Sequence, residues 1–297
     1  MKAVAKTYPT TAQNNLRSLW TSFRMAAWLG WQIESNWTDP FLFAVYSIIK
    51  PLAGAAILVV MYSVINHGDF SSPVFPYIYL GNAFYMYVGG VMTGVSWAVI
   101  DDREHYRTLK YIYVAPVNIP TYLFGRGVVR FGTTTFSVLI TILFGVLFLK
   151  VPLVLGEVNW PLFIVTLVIG VLMLAFMGLI LAGVTLQIAH HVDFVGDAVA
   201  GGLFLFSGAI FPLDVLPAFL RPVGFIIPVT YWLELLRRCL VGPVAQAFPT
   251  LSGFSNLQLL AILVGLTLVF ATASIFIFRW CDRRAREFGR IDMVTNY

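Results

Sequence analysis

Charge is what this sequence has least of. Only 11% of its 297 residues are Asp, Glu, Lys or Arg, against 59% hydrophobic residues and a mean hydropathy of +0.83. A soluble domain of this length cannot cover its surface with so little charge, so the composition excludes a water-soluble fold and defines an integral membrane protein. Glycine followed by lysine occurs nowhere. The glycine-rich turn ending in Gly-Lys-Ser/Thr that cradles nucleotide phosphates is therefore missing, and any ATP used must be bound by another polypeptide. Cysteine is scarce too. Cys239 and Cys281 are expected on opposite sides of the bilayer, which excludes an intrachain bridge. No compact apolar core follows Lys2 and Lys6 before Phe41, so a secretory signal peptide is not expected and the N-terminus is read as cytoplasmic. Nor is a metal site expected. His190-His191-Val192-Asp193 with Asp197 is the densest group of ligating types, but adjacent histidines rarely aim at one ion and no third ligand group lies near in sequence. These residues read instead as polar groups in a tight inner turn, with Asp193 and Asp197 suiting the dipole of a following helix. Asp197 is expected to pair with Arg126 or Arg130.

What is present is long apolar runs. Six of them, at about 41–66, 74–100, 124–149, 160–186, 194–211 and 258–280, are near or above the ~20 residues that a bilayer crossing needs. They predict an all-α integral membrane protein with six transmembrane helices, residues 38–297. A cytoplasmic tail and an interfacial amphipathic helix occupy residues 1–37. In that helix, from about Asn14 to Ile33, Leu16, Leu19, Trp20, Phe23, Ala27, Gly30 and Trp31 share one face, and Arg17, Ser18, Thr21, Arg24 and Gln32 the other. Lys50-Pro51 in the first run predicts a kink, with the crossing starting later than Phe41. Between the fifth and sixth runs, Pro212, Pro217, Pro222, Pro228, Pro243 and Pro249 divide apolar pieces too brief to cross, which predicts outer-leaflet re-entrant helices. With the N-terminus inside and six spans, fourteen of the 19 basic residues fall on the cytoplasmic side, as the positive-inside rule demands. Both termini are then cytoplasmic.

Other features are weaker in what they say. Glu234 and Arg238 are four apart, the spacing of an intrahelical ion pair. Gly90 with Gly94, and Gly196 with Ala200, have the small-residue spacing of close helix contacts. Tyr79, Phe84, Tyr85 and Tyr87 in the second run either line a path for an amphipathic substrate or serve packing.

The longest polar interruption on the cytoplasmic side runs Glu104-His105-Tyr106-Arg107-Thr108-Leu109-Lys110-Tyr111-Ile112-Tyr113-Val114-Ala115-Pro116. Its Glu104, Thr108, Leu109, Tyr111, Ala115 and Pro116 resemble the coupling segment of ABC exporter permeases of the polysaccharide, lipid and drug export superfamily. Lys110 departs from the pattern, which favours an acidic or polar residue there. A second stretch, Phe206-Ser207-Gly208-Ala209-Ile210-Phe211-Pro212-Leu213, then Leu216-Pro217, then Ile227-Pro228-Val229-Thr230-Tyr231, is similar to that superfamily's outer re-entrant run. The resemblance implies a type V exporter permease in the plasma membrane. It also implies a dimer, with a second copy of the chain, docked on a separate ATPase subunit that binds ATP and Mg. Glu104, Tyr106, Arg107, Thr108, Leu109, Tyr111 and Pro116 would couple to that subunit, and Gly208, Pro212, Pro217, Pro228 and Tyr231 would form a re-entrant gate. Apolar Tyr106, Leu109, Tyr111 and Tyr113 with a charged rim of Arg103, Glu104, Arg107 and Lys110 suit a protein interface. Membrane lipids are further partners, nucleic acid is not, and no catalytic residue is expected. The rival reading is a stand-alone secondary transporter, or a membrane-embedded transferase using the His190 to Asp197 cluster. Against it stand the lack of a clear internal repeat and of mid-span charge apart from Lys50.

Overall fold

The computed structural model describes residues 12–36, 40–67, 69–70, 72–153, 156–188, 193–242 and 249–292. Among them all regular structure is helical. Helix α1 is Ala12–Asn36 and α2 is Pro40–Ile65. Next, α3 (Val74–Tyr87) and α4 (Thr93–Ile100) join through a π turn at Val88–Met92, and a second π turn, Asp101–His105, ends this continuous rod. A short α5 (Leu109–Val114) leads to α6 (Ile119–Phe148) and α7 (Trp160–Gln187). The rest of the chain forms α8 (Asp193–Phe206), α9 (Arg221–Ile226), α10 (Pro228–Val241), α11 (Pro249–Ser252) and α12 (Asn256–Glu287).

Five stretches are long and apolar enough to cross a membrane: Ile48–Ile65, Val74–His105, Ile119–Phe148, Trp160–Gln187 and Asn256–Glu287. They coincide with five of the six expected runs. The sixth, at 194–211, becomes α8, which has 14 residues. At 1.5 Å per residue it spans roughly 21 Å, short of a ~30 Å hydrocarbon core. It stops because Gly208 takes a left-handed backbone, φ +73°, and Pro212 follows in an extended conformation. Pro51 does not break α2, and Lys50 beside it is exposed.

Side-chain size decides how closely the rods approach. Gly178 of α7 lies where a Cβ would come within 2.5 Å of the Met92 carbonyl, so α7 presses directly on the first π turn. Gly90 likewise meets Thr134 of α6, and the expected Gly90/Gly94 contact face is real. Asn118, Asn159 and Ser255 cap α6, α7 and α12 with their side chains, and Ser255 with Gln258 completes a capping box. The main core surrounds α10, all of whose residues are buried; Trp232, Leu233, Leu235 and Leu236 pack against Leu80, Met173, Leu174, Leu259 and Leu263. A second core, with Val95, Leu109, Leu123, Leu179 and Phe278, fills the opposite end.

Helix α1 meets the bundle through small residues. Its buried residues are Ala26 and Gly30, pressed on α6, and Glu34 pairs with Arg130 of α6 at 2.5 Å. Trp20, Trp28 and Trp31 point outward. Small residues let two backbones meet, so they and not the tryptophans face protein. The side chains of Leu16 and Arg17 lie outside the described residues.

Candidate functional site

Chain direction brings two polar clusters to opposite ends of the bundle. At the end shared by α1 and the C-terminus of α12, the π turn Asp101–His105 packs one extra residue into a helical turn and sinks Asp102, Arg103 and Glu104 together. Single π turns inside α-helices recur at functional positions. Asp102 is buried with Arg126 of α6: Arg126 Nη1 donates to its Oδ1 at 3.0 Å and the Tyr122 hydroxyl to its Oδ2 at 2.8 Å. Asp101 also reaches Arg126, at 3.5 Å. Arg103 donates to Glu104 at 2.8 Å and to the Thr185 and Ile188 carbonyls, tying the rod to the end of α7. Both buried cations thus have carboxylate partners, the condition for holding charge out of water.

From this base the chain turns through Arg107, a non-glycine residue at φ +53°, into α5. That left-handed backbone costs on the order of 1–3 kcal/mol, and such strain concentrates at switch and binding segments. The Thr108 amide donates to the Asp102 carbonyl at 2.7 Å, and Leu109 is buried in the second core. Tyr113 donates to Asp282 of α12 at 2.6 Å, and Arg286 both pairs with Asp282 at 3.1 Å and lies 4.7 Å over the Tyr113 ring. Burial, with Asp282 adding to it, raises the pKa of the Tyr113 phenol. What α5 leaves outside is a shelf of Tyr106, Arg107, Lys110, Tyr111, Val114 and Pro116, with Tyr111 67% and Val114 87% exposed.

The expected coupling residues therefore divide. Tyr106, Arg107, Tyr111 and Pro116 are exposed; Glu104 and Leu109 are buried, and Thr108 is half-buried. Leu109 is thus a core anchor and not a surface contact. Sequence reasoning missed Asp102, Tyr122 and Asp282, and took Tyr113 as an apolar anchor for a partner, whereas its phenol donates to Asp282. It took Arg126 as a topology marker and as an alternative partner for Asp197, although a cation opening an apolar run beside Asp101-Asp102 was the available signal.

At the other end, α10 presents Glu234, Arg237 and Arg238, all buried. The predicted pair is present, Arg238 Nε to Glu234 at 2.8 Å, and Arg238 further donates to the Leu251 and Phe254 carbonyls before α12. Arg237 donates to the Gly208 and Ala209 carbonyls at 2.8 and 3.2 Å, and its guanidinium lies 3.7 Å over the Tyr77 ring of α3. Of the expected gate residues, Gly208 is thus held by Arg237. Pro212 and Pro228 are buried, Pro217 is exposed, and Tyr231 donates to the Phe225 carbonyl at 2.8 Å. Arg237 itself was not anticipated.

Tyr79, Phe84, Tyr85 and Tyr87 are all buried within the single chain. Tyr79 donates to the Thr141 carbonyl at 2.6 Å, Tyr85 to the Ala200 carbonyl and Tyr87 to Thr135 at 3.0 Å. Tyr79 and Tyr87 tie α3 to α6, Tyr85 ties it to α8, and the Phe84 ring meets Phe163 of α7. Asp197 is exposed, and the cations expected for it are taken: Arg126 by Asp101 and Asp102, Arg130 by Glu34. His190 and His191 lie outside the described residues, as does the Asp193 side chain. Cys239 and Cys281 are both free thiols.

Among the described residues the chain is thus a helical, multi-pass membrane bundle whose polar groups gather at its two ends. Residues 23–241 match the family model of the ABC-2 type transporter, and the chain belongs to that family. Membership makes it a permease, the transport part of systems that work with an ATPase partner. A search of curated proteins finds no match.

Proposed function

We propose that this chain is the permease subunit of an ATP-driven type V exporter in the plasma membrane, with both termini cytoplasmic. Two copies work with a separate ATPase subunit that binds ATP and Mg. The observation that carries the reading is the α5 shelf: exposed Tyr106, Arg107, Lys110, Tyr111, Val114 and Pro116 stand on a buried base of Asp102, Arg126 and Leu109. Apolar anchors with a charged rim suit a protein partner. Force on the shelf is passed to three rods, through Asp102 to α6, through Arg103 to α7 and through Tyr113 to α12.

Six passages fit the geometry better than five. Ile188 lies level with Arg103, and Gly208 is bonded at the level of Tyr77 and Gly81. Along the α3–α4 rod those levels are about 33 Å apart, a full hydrocarbon thickness. The chain thus crosses between 188 and 208 with α8 as its helical part, and α9 and α10 re-enter from the far leaflet. Support for a gate at α10 comes from hydrogen bonding. Among the described residues, five buried side-chain atoms have no partner, and Thr166 Oγ1, Ser207 Oγ, Trp232 Nε1 and Arg237 Nε are on α10 or the elements around it. Each such atom calls for a partner that the single chain does not supply, such as a water or an ion. The substrate we propose is amphipathic: a lipid, glycolipid, lipid-linked polysaccharide or hydrophobic drug.

The test is transport and ATPase activity of the reconstituted pair. Tyr111→Ala with Val114→Ala should leave insertion and thermal stability unchanged while abolishing substrate-stimulated ATP hydrolysis and export. Full export by that double variant, or export by the lone permease, would refute the reading.

A further inference from the structure

Helix α12 is longer than a membrane requires. Its 32 residues make a rod of roughly 48 Å, about 18 Å more than a hydrocarbon core, so its last turns stand in the headgroup layer and beyond. Counted from Asn256, the first ~30 Å end at Phe276. Val269, Phe276 and Arg283 follow one another at seven-residue intervals and share the side turned away from the bundle, whereas Phe278, Cys281 and Ala285 are buried on the other side. Val269, Phe276 and Trp280 are all more than half exposed. One outward strip thus passes from hydrocarbon-facing side chains, through a tryptophan at the depth where tryptophans anchor, to the exposed Arg279, Arg283 and Arg284.

The arginines of this segment divide. Arg286 is engaged by Asp282 and the Tyr113 ring, and Arg290 donates to the Gln187 carbonyl at 2.6 Å. Among the described residues Arg279, Arg283 and Arg284 have no carboxylate partner. Arg284 lies 5.0 Å over the Trp280 ring and 5.7 Å over that of Phe288, so two outward rings keep its guanidinium on the strip. Side chains on a helix lean toward its N-terminus, and those of Arg283 and Arg284 therefore slant back toward the bilayer. Arginines grouped just outside a span attract anionic headgroups, on the order of fivefold in affinity for each. We infer that the outward strip at the end of α12 binds an anionic phospholipid, its phosphate held by Arg283 and Arg284 and its acyl chain lying along Phe276. The strip runs unbroken into the lipid-facing side of the rod, which suits an occupant with a charged head and an apolar tail over a water-soluble partner. This placement needs only that α12 crosses the membrane, not the proposed exporter mechanism.

The experiment uses the purified full chain, without Cys239 and Cys281 and with a bimane label on Ile277→Cys, in phosphatidylcholine vesicles. A minority of the lipid carries brominated acyl chains, as phosphatidylglycerol or as phosphatidylcholine. Brominated phosphatidylglycerol should quench the label with an apparent affinity about fivefold or more above that of brominated phosphatidylcholine, a preference that about 0.5 M salt should weaken. Arg283→Gln with Arg284→Gln should abolish the preference while leaving both lipids able to quench, and the corresponding pair of lysines should keep most of it. The same label on Leu139→Cys, on the exposed face of α6, should show no preference. A preference at 277 no greater than at 139, or one that survives the glutamine pair, overturns the inference. So does a label that neither lipid quenches, since that seats a second copy of the chain on the strip. ATP and the ATPase are absent throughout, so failure here and failure of the exporter reading remain separate results.

Discussion

Buried charge is the residue-scale theme, and each instance is tolerable only with its partner. Removing Arg126 leaves Asp102 in the core with only Tyr122 and Thr108 beside it. Stranding one half of a buried ion pair costs about 3–5 kcal/mol. Arg126→Met should therefore lower the melting temperature in detergent sharply, and Asp102→Asn combined with it should lower it less than the two single losses added. Strict additivity would show that the two groups do not interact. Leu109 and Tyr111 make a second contrast two positions apart. Leu109→Ala opens a cavity and is expected to cost about 2–5 kcal/mol, whereas Tyr111→Ala, on the surface, should stay within about 0.5 kcal/mol in the same thermal assay.

At the scale of the element, α1 and α5 are each fastened at few points. The α1–α6 crossing depends on Gly125, whose added Cβ would lie 2.6 Å from the Phe23 carbonyl. Gly125→Leu should push α1 off α6, seen as a longer and broader distance distribution between spin labels at positions 18 and 137. An unchanged distribution would mean that Glu34 and Arg130 alone hold the crossing. The far end of α5 is held by the phenol of Tyr113. Its raised pKa means that the proton, and so the bond to Asp282, is fully present below the usual tyrosine value of about 10 and is lost only as pH climbs beyond it. The stability difference between the natural chain and Tyr113→Phe should accordingly be flat from pH 6 to 9 in a thermal series.

At the scale of the whole molecule, two polar ends are separated by an apolar middle, and the alternation of rods places α1 and the C-terminal part of α12 at one end. Single cysteines at His67 and Gly289, in a background without Cys239 and Cys281, should be labelled by a membrane-impermeant maleimide from opposite sides. Positions 18 and 289 should be labelled from the same side. Labelling of 18 and 289 from opposite sides would reduce the crossings to an odd number and unseat the passage between 188 and 208.

The sequence by itself determined the membrane class, the positions of the five long helices, the lack of a Gly-Lys-Ser/Thr turn and the Glu234–Arg238 pair. All four follow from composition or from local period, which any short window of the chain carries. Only the tertiary structure decided which face of α1 meets protein, that Leu109 is buried while Tyr111 is exposed, and that Tyr79, Phe84, Tyr85 and Tyr87 are buried inside the bundle. It alone joined Asp102 to Arg126, Tyr113 to Asp282 and Arg237 to Gly208, residues 24, 169 and 29 positions apart. Such partners are set by where the rods cross, and the crossings depend on backbone approach at small residues such as Gly90, Gly125 and Gly178, which hydropathy does not register.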